Sequence, residues 1–581
     1  MSEAPPESTP PRVTERLRGL AQNGAVVLAV PALLFAVVRP DWYYVQNGLD
    51  PFFYTGYVQN FDNIFHASGA EHYFISRWSI YLPQRVLFQV FGDATAAYLV
   101  MRWIGAGLIV AAVSVLAARQ GRRRSDAVAL AALVLLMPMS IRALFADYSD
   151  AVVLPAGIAL LVLLVCWPDD WRAAAGAGAL AGLMVVANPF AITVAAATTP
   201  FWLRRVERRS WLSLLAAAAA AGAIVLAAGW LLFRWRYGIP NVYQPTLDFL
   251  RERGTQEDPL KSPRLLWLGY RLWIYLPPLV VLAYVLLCRR IREARTSIGD
   301  ALIGTCALQW TIQFWFQFAR RGSTLEISYY WSYALPSFCL AFCVVAGIVA
   351  SRAHRAVLPG LTAAIVVLLA LSDGPMPEVF QSWLDALAAV ALVVVVAGRI
   401  VSRRPGAVAA VVVVLVLVLQ FGSPRPEPMA EGELRVLSSY ELVYDNHSDG
   451  IDSFRDVVWF DELMDGLPVP VARSAVFWYE RPIGARMAAI HGAQVTGRWL
   501  LPIIGEAPPT EPFPTDLVNA ITAGQIPTIV AIGPAEEVAA VRRQFEAANP
   551  EMREVVLAPV PGEDDLLVGV ISSLAGPQKT P

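Results

Sequence analysis

The sequence predicts an α-helical polytopic membrane protein that ends in a smaller α/β domain. Of its 581 residues, 56% are hydrophobic and only 16% are charged, whereas soluble domains average about 25% charged residues. Apolar runs of about 17 to 23 residues recur along most of the chain, and each is long enough to cross the hydrocarbon of a bilayer as a helix. The formal net charge is −1, so nothing in the composition suggests nucleic acid as a partner, and the expected partner is the lipid bilayer.

Residues 22–422 form the predicted membrane domain, in which we count about 13 spans. They are expected at about residues 22–38, 96–118, 126–145, 150–167, 173–188, 189–203, 211–233, 266–288, 297–318, 329–350, 356–372, 381–398 and 406–422. The two runs within 173–203 are short, so the total number of spans depends most on how these two runs are counted.

Arginine clusters orient these spans, because cationic side chains are retained on the cytoplasmic side of a membrane. Every cluster follows an even-numbered span; the clusters begin at Arg119, Arg204, Arg289, Arg352 and Arg399. The N-terminus, with a disordered segment at 1–21, is therefore expected in the cytoplasm. Lysine occurs only at Lys261 and Lys579, which is typical of a GC-rich bacterial genome. We therefore expect a multi-pass protein of a bacterial cytoplasmic (inner or plasma) membrane.

Residues 423–581 are polar and, on this topology, extracytoplasmic. Proline and glutamate dominate their start, which is typical of a linker. A helix is expected at about 453–467 and another at about 534–548, and short β-like runs lie at about 472–478, 528–532, 555–560 and 566–571. Strands that alternate with helices predict a small α/β domain.

The long loop after the first span, residues 39–95, is the most unusual segment. Most multi-span proteins join their first two spans by a short turn. This loop instead places a carboxylate, aromatic rings and basic side chains just outside the bilayer. These groups are Asp50, Tyr54, Tyr57, His66, His72, Arg77 and Arg85. Together at a membrane surface they indicate chemistry on a lipid-linked polar substrate.

Two shorter outer loops add further charges. Asp147 and Asp150 lie in the turn between the third and fourth spans, and Arg320 and Arg321 lie between the ninth and tenth. Short outer loops normally avoid arginine, so this pair needs a reason, and an anionic phosphate supplies one. Anchoring to lipid headgroups, or pairing with Glu326, is the alternative.

A polar seam runs along the ninth predicted span toward those arginines. Gln309, Gln313 and Gln317 recur every four residues on an otherwise aromatic helix, and polar groups within a bilayer must face partners or a cavity. Hydrogen bonding between helices is one interpretation, and a wall of a groove for a lipid phosphate and its sugar is the other. Arg102 and Arg142 are expected to face the bundle interior with an acidic or carbonyl partner.

No cofactor is certain from the sequence. His66 and His72, with Asp62 or Glu71, could hold a divalent cation, but their spacing matches no helical pair of ligands. The five cysteines lie in apolar runs without zinc or disulfide spacing, so we interpret them as small buried hydrophobic residues.

The arrangement resembles the GT-C superfamily of membrane glycosyltransferases, which includes bacterial protein mannosyltransferases, aminoarabinose transferases and actinobacterial cell-wall arabinosyl- and mannosyltransferases. The resemblance covers about residues 20–350. It rests on a large first outer loop with an early acid, an acidic second loop, many spans and an external C-terminal domain. Related enzymes carry an Asp-Glu pair before aromatics. Here the matching segment is Leu49-Asp50-Pro51-Phe52-Phe53-Tyr54, so Asp50 fits the acid and Pro51 replaces the second one.

The resemblance implies transfer of a sugar from a polyprenyl-phosphate donor to a hydroxyl of an envelope glycan, lipid or protein at the outer face. Asp50 would be the general base, and Asp147 or Asp150 would fit the acid of the second loop. Arginines would neutralise the departing phosphate, and attack from the opposite face would invert the anomeric centre. Tyrosines such as Tyr54, Tyr57 and Tyr330 would stack on sugar faces, unless they only form an interfacial belt.

Two other classes stay open. A transporter or flippase of a lipid-linked or polar envelope precursor is one, although such folds usually show paired repeats and we find none. A non-catalytic scaffold whose external domain binds envelope polymer is the other, but it leaves Asp50 and the Arg320–Arg321 pair unexplained.

Overall fold

The computed structural model describes residues 24–33, 54, 57–58, 61, 73–92, 94–145, 148–253, 272–292, 295–320, 324–325, 333–352, 357–363, 476–479, 503–504, 515–524, 527–559 and 566–573. Several predicted residues lie outside these ranges, namely Asp50, His66, His72, Asp147, Arg321 and Tyr330.

The first part of the chain is helical. Its helices are α1 Gly24–Leu33, α2 Trp78–Phe91, α3 Ala94–Arg119, α4 Arg124–Leu136, α5 Pro138–Phe145, α6 Asp150–Cys166, α7 Trp171–Ala187, α8 Ile192–Leu203, α9 Trp211–Tyr237, α10 Gln244–Arg253, α11 Leu276–Arg290, α12 Ser297–Ala319, α13 Leu335–Arg352 and α14 at 357–363. Short 3-10 helices at Tyr73–Arg77, Pro189–Ala191, Arg208–Ser210 and Leu272–Tyr275 precede α2, α8, α9 and α11.

The described helices support a membrane protein without confirming about 13 spans. By length and composition, two of them can cross a membrane, at Ala96–Arg119 and Arg208–Tyr237, and α4 with α5 forms a third candidate bent by 72°. The bend follows from Pro138, because the residue before a proline avoids helical backbone, and Met137 is extended at φ −57° and ψ 129°. The spans predicted at 381–398 and 406–422 lie outside the described residues.

Helix α6 lies at the centre of the bundle. It is apolar on every side and nearly all of its residues are buried, as expected of a helix surrounded by others. It packs against α3, α7 and α13. Its first residue, Asp150, is fully buried, so the acidic turn predicted from the sequence leads directly into the core.

Helices α7 and α9 pack closely because small residues face each other between them. A Cβ atom added at Gly178 would lie 2.6 Å from the Cα of Ala218, and one added at Gly182 would lie 3.1 Å from the carbonyl oxygen of Gly222. Small residues let helix backbones approach in this way, which is a common device in membrane bundles.

The loop predicted at 39–95 contains an unpredicted helix, α2, which packs against α3 and α7. Its N-terminal turns are buried, whereas Val86, Val90 and Phe91 near its end are 53%, 71% and 47% exposed. Pro83 lies inside it, and proline is normally a helix breaker. The tertiary contacts of the buried turns therefore outweigh the local preference.

Two of the arginine clusters that set the predicted topology send a side chain to a helix C-terminus. Arg205 donates a hydrogen bond to the carbonyl of Val165 near the end of α6. Arg122 donates to the carbonyl of Gly347 in α13 at 2.7 Å. The end of a helix dipole favours cations, so these arginines fix helix ends as well as orientation.

The C-terminal region contains a mixed sheet of five strands in the order β2-β1-β3-β5-β4. The strands are β1 Val476–Tyr479, β2 Ile503–Ile504, β3 Thr528–Pro534, β4 Arg553–Pro559 and β5 Leu566–Ser572, with helices α15 Thr515–Thr522 and α16 Ala535–Ala548. Strands β1, β2 and β3 pair in parallel, and β5 pairs antiparallel with β3 and β4.

The core of this domain forms where α16 covers the sheet. Val541 and Phe545 of α16 are buried with Ile529 of β3 and Ile571 of β5. The four predicted strands and the predicted helix at 534–548 are confirmed. Strand β2 and helix α15 were not predicted, and the helix expected at 453–467 lies outside the described residues.

Candidate active site

Several predicted site residues meet at one end of the bundle. There α6, α8 and α13 begin, and α7 and α12 end, as the contacts of Ser149 with Tyr333 and of Phe190 with Phe316 show. We call this the site end. The 3-10 helix Tyr73–Arg77 and Tyr54 of the long loop join it from outside the bundle, since Tyr54 contacts Tyr148 in the turn before α6.

Arg77 is the central cation of the site end. It is 4% exposed, and its Nη1 donates a hydrogen bond to the Tyr54 hydroxyl at 3.0 Å. Its guanidinium carbon lies 4.2 Å from the ring centroid of Tyr73, within the range of a cation–π contact. A buried charge is tolerated only with polar or π partners, so the two tyrosines help to hold this guanidinium in place.

The turn before α6 connects Arg77 to the core. The ring centroids of Tyr54 and Tyr148 lie 5.8 Å apart, edge to face. The next residue, Ser149, shares a 3.1 Å hydrogen bond with the hydroxyl of Tyr333, just before α13. Asp150 follows as the first residue of α6, where the positive end of the helix dipole favours a carboxylate. An acid and a guanidinium therefore lie on connected segments at the site end.

Aromatic contacts continue from Tyr333 to α12. The ring of Tyr333 lies 5.5 Å from that of Phe190, which lies 4.9 Å from Phe316 of α12. Phe190 sits in the 3-10 turn before α8, where the side chain of Asn188 accepts a hydrogen bond from the Phe190 amide at 2.9 Å. The turn between α7 and α8, a short interruption between two predicted spans, thus becomes part of the site end.

The glutamine seam of α12 is fully buried and bonds to protein groups. Gln309 Nε2 donates to Thr193 of α8 at 3.0 Å, which is the interhelical hydrogen bond that one interpretation of the sequence predicted. Gln317 Oε1 accepts from the backbone amide of Leu325 at 2.9 Å, and the carbonyl of Gln313 accepts from Thr324 at 2.8 Å. Thr324 and Leu325, which follow α12 in the chain, are therefore hydrogen-bonded to the glutamine-bearing part of that helix.

Arg85 has a different environment from Arg77. Its Nη1 donates to the carbonyls of Val58 at 3.1 Å and Tyr57 at 3.5 Å, and its guanidinium lies 5.4 Å from the ring of Phe61. Arg85 thus fixes the backbone of the long loop against α2.

Tyr57 belongs to an aromatic cluster beside Arg85. Its ring stacks on Tyr81 at 4.8 Å and 25°, and both side chains are fully buried. Burial, with a smaller effect from Tyr54, raises the pKa of Tyr57 far above its ordinary value. Burial also raises the pKa of Tyr81, and Tyr57 adds to that shift. Both phenols therefore stay neutral at physiological pH.

Other predicted residues differ in how they are placed. Arg320 caps the end of α12 and is exposed at the site end. Arg102 is 4% exposed and lies 4.3 Å from the ring of Tyr98, so the prediction that it faces the interior is confirmed. Trp78 donates to the hydroxyl of Tyr243 at 3.2 Å.

Among the described residues, no group of three or more His, Cys, Asp or Glu side chains could hold a metal ion.

Sequence reasoning missed Tyr73, Tyr148 and Ser149 as members of the site end. Tyr148 and Ser149 stand between two acids that were singled out, so their position was a usable signal. Tyr73 precedes Arg77 by four residues, and nothing in the pattern showed that its ring would lie on the guanidinium.

Comparison with solved structures shows which fold this is. The chain matches ArnT, an aminoarabinose transferase, from Cupriavidus metallidurans in the apo state with a TM-score of 0.51 and 17% identity, over 97% of this chain and 100% of that chain. The same ArnT bound to undecaprenyl phosphate matches over 97% of this chain and 99% of that chain, with a TM-score of 0.49 and 17% identity.

A third match is the apo oligosaccharyltransferase of Archaeoglobus fulgidus, with a TM-score of 0.40 and 11% identity over 96% of this chain and 75% of that chain. No protein-family model and no curated protein matches the sequence. The fold assignment therefore rests on apo ArnT, a GT-C superfamily member. The match shows that this chain shares the fold of apo ArnT, which is the fold that the resemblance predicted.

Proposed function

We propose that this chain is a membrane glycosyltransferase that moves a sugar from a polyprenyl-phosphate donor to an acceptor hydroxyl at the outer face of the membrane. The observation that carries the proposal is buried Arg77, bonded to Tyr54 and connected through Tyr148 to Asp150 in a bundle with the ArnT fold. Arg77 and Asp150 are both buried. Burying a charged side chain away from water is costly, so the retention of both favours a functional role.

The donor class follows from the charge at the site end. An arginine fork matches a phosphate better than a lysine does, and Arg77 and Arg320, with Arg321 after it, supply such groups. ArnT has been solved with undecaprenyl phosphate bound, and we infer a donor of the same chemical class here. The sugar and the acceptor, whether glycan, lipid or protein, stay open.

The reaction needs one base and one leaving-group stabiliser. Asp50 takes the proton of the acceptor hydroxyl as its oxygen attacks the anomeric carbon, which contributes about 10²–10⁴-fold to the rate. The bond from that carbon to the phosphate oxygen breaks, polyprenyl phosphate leaves, and Arg77 neutralises its charge. Attack from the face opposite the phosphate inverts the anomeric centre. Asp150, or Asp147 three residues before it in the sequence, corresponds to the acid of the second outer loop that the resemblance implies.

The remaining predicted residues contribute binding surface in this proposal. His66, His72 and Tyr330 are assigned to binding of the sugar or the acceptor. Residues 423–581 lie on the same side of the membrane, where the small α/β domain is available to the acceptor. The orientation follows from the arginine clusters, because the positive-inside rule assigns their end to the cytoplasm.

A transfer assay on the full-length protein in proteoliposomes tests this function. Polyprenyl-phosphate-linked mannose, arabinose and aminoarabinose are offered with a bacterial envelope fraction, and released polyprenyl phosphate and glycosylated product are measured. We expect Asp50→Asn to lower transfer by at least about 10²-fold and Arg77→Gln to weaken it by about tenfold or more. The matched controls are Asp169→Asn and Arg172→Gln, exposed residues between α6 and α7 or at the start of α7.

The outcomes of these experiments distinguish a transferase from a transporter and from a non-catalytic scaffold. Full activity in Asp50→Asn would remove Asp50 from the role of base. Counterflow of the lipid-linked sugar without any covalent product would identify a transporter. Retention of cellular function by residues 423–581 alone would identify a scaffold.

A further inference from the structure

Helix α10, which follows the long span α9, packs against the 3-10 helix that carries Arg77. The hydroxyls of Thr246 and Ser76 are hydrogen-bonded. Because the Ser76 hydroxyl donates to the carbonyl of Tyr73 at 2.7 Å, the proton between the two hydroxyls belongs to Thr246. Phe249, one turn further along α10, stacks on the ring of Tyr73 with centroids 4.7 Å apart and planes 30° apart.

Tyr73 links this helix to the buried cation. The ring that stacks on Phe249 is the ring on which the Arg77 guanidinium lies, 4.2 Å from its centroid. The Tyr54 hydroxyl accepts from one edge of the same guanidinium. The Tyr73 ring covers a face of this planar group, so the position of that ring contributes to the direction in which the guanidinium points.

Helix α10 is braced well enough to act as a support. Gln244 Nε2 lies 2.9 Å from both carboxylate oxygens of Asp248, and Arg251 donates to that carboxylate at 3.1 Å. At its start, the hydroxyl of Tyr243 donates to the carbonyl of Leu226 in α9 at 2.8 Å. Side-chain contacts within α10 therefore stabilise the helix, and Tyr243 attaches its start to α9.

We propose that Phe249, assisted by Thr246, is a positioning residue that sets the direction of the Arg77 guanidinium through Tyr73, and so tunes capture of the phosphate of a polyprenyl lipid. This inference rests on the proposed function. An arginine binds a phosphate through a planar fork whose hydrogen bonds need correct orientation. Phe249 does not touch the phosphate itself; its effect passes through Tyr73 and Arg77.

The test measures the dissociation constant of undecaprenyl phosphate for the full-length protein in detergent by thermophoretic titration, with thermal unfolding recorded for every variant. Arg77→Gln is expected to weaken binding about tenfold or more, and Phe249→Ala about fivefold. Phe249→Tyr keeps a stacking ring and is expected to bind as the native protein does. Leu250→Ala, at a neighbouring side chain that is 46% exposed, is the control.

A double-mutant cycle separates positioning from general damage. In the Arg77→Gln background, Phe249→Ala is expected to change the dissociation constant by less than about twofold, because its effect is transmitted through the missing guanidinium. Thr246→Val keeps the side-chain volume and removes only the hydroxyl, so it tests the same contact should Phe249→Ala fail to fold. We expect it to weaken binding in the native background and not in the Arg77→Gln background.

The results distinguish failure of the proposed function of Arg77 from failure of the positioning role of Phe249. Unchanged binding in Arg77→Gln would overturn the proposed function of Arg77. Weaker binding in Arg77→Gln with native binding in both Phe249→Ala and Thr246→Val would overturn the positioning role alone. Additive effects in the double variant would show that Phe249 acts by a route other than Arg77.

Discussion

Gly229 of α9 lies against Trp78 of α2, and the structure indicates whether alanine at this position stabilises or destabilises the protein. In an open helix position, glycine to alanine stabilises a helix by about 1 kcal/mol. At Gly229 the added Cβ would lie 2.5 Å from Cε2 and Cζ2 of the Trp78 indole, which is well inside contact distance. Trp78 is 9% exposed and its indole is rigid, so it must swing as a whole.

The cost follows from what holds Trp78. Its Nε1 donates to Tyr243, whose hydroxyl donates in turn to Leu226 of α9. Overpacking a well-filled core costs about 1–3 kcal/mol, and a displaced indole loses a hydrogen bond of about 1 kcal/mol in addition. These costs exceed the gain in helix propensity, so we expect Gly229→Ala to destabilise the protein by about 1–3 kcal/mol.

Thermal unfolding of the full-length protein in detergent, followed by tryptophan fluorescence, measures this effect. The matched control is Gly107→Ala in α3, where the added Cβ would lie 3.5 Å from Val27 in ordinary contact. We expect the control to be neutral or to raise the unfolding temperature and Gly229→Ala to lower it by a few degrees. Because Trp78 directly follows Arg77, transfer activity should fall as well. A rise in unfolding temperature for Gly229→Ala would refute the packing argument.

Two further predictions concern the same bundle. Gly178→Leu should prevent α7 and α9 from closing, because the added Cβ would meet the backbone of Ala218, and size-exclusion chromatography should show aggregated rather than monodisperse protein; a monodisperse variant contradicts this. Tyr333→Phe removes the 3.1 Å bond to Ser149 and should cost about 1 kcal/mol in unfolding free energy, measured by chemical denaturation beside Ser149→Ala, which removes the other partner of the same bond. Native stability of both variants would show that the bond contributes nothing.

Hydropathy predicted the helices well because a span needs only length and apolar character. Helix α3 was expected at 96–118 and is Ala94–Arg119; α12 was expected at 297–318 and is Ser297–Ala319. The strands of the C-terminal domain were also found, since β5 was expected at 566–571 and is Leu566–Ser572. In each case the signal lies within a single stretch of sequence.

The site end was harder to predict because its contacts join distant parts of the chain. The stack between Tyr73 and Phe249 and the bond between Ser149 and Tyr333 leave no local pattern. Helix α2 was missed for a local reason: Pro83 argues against a helix, and only packing on α3 and α7 overrides it. Sequence could name chemistry-bearing residues, whereas the geometry that makes them a site came from the bundle.

The contrast between Arg77 and Arg85 supports the proposal that Arg77, rather than Arg85, binds the phosphate. Both stand on the segment that begins at Tyr73, and both were predicted to bind substrate. Arg85 donates hydrogen bonds to the carbonyls of Tyr57 and Val58. These contacts attach the long loop to α2, which is a structural role. Arg77 donates to the Tyr54 hydroxyl and lies on the ring of Tyr73. Its guanidinium therefore lies among the side chains of the site end, where we propose that the phosphate binds.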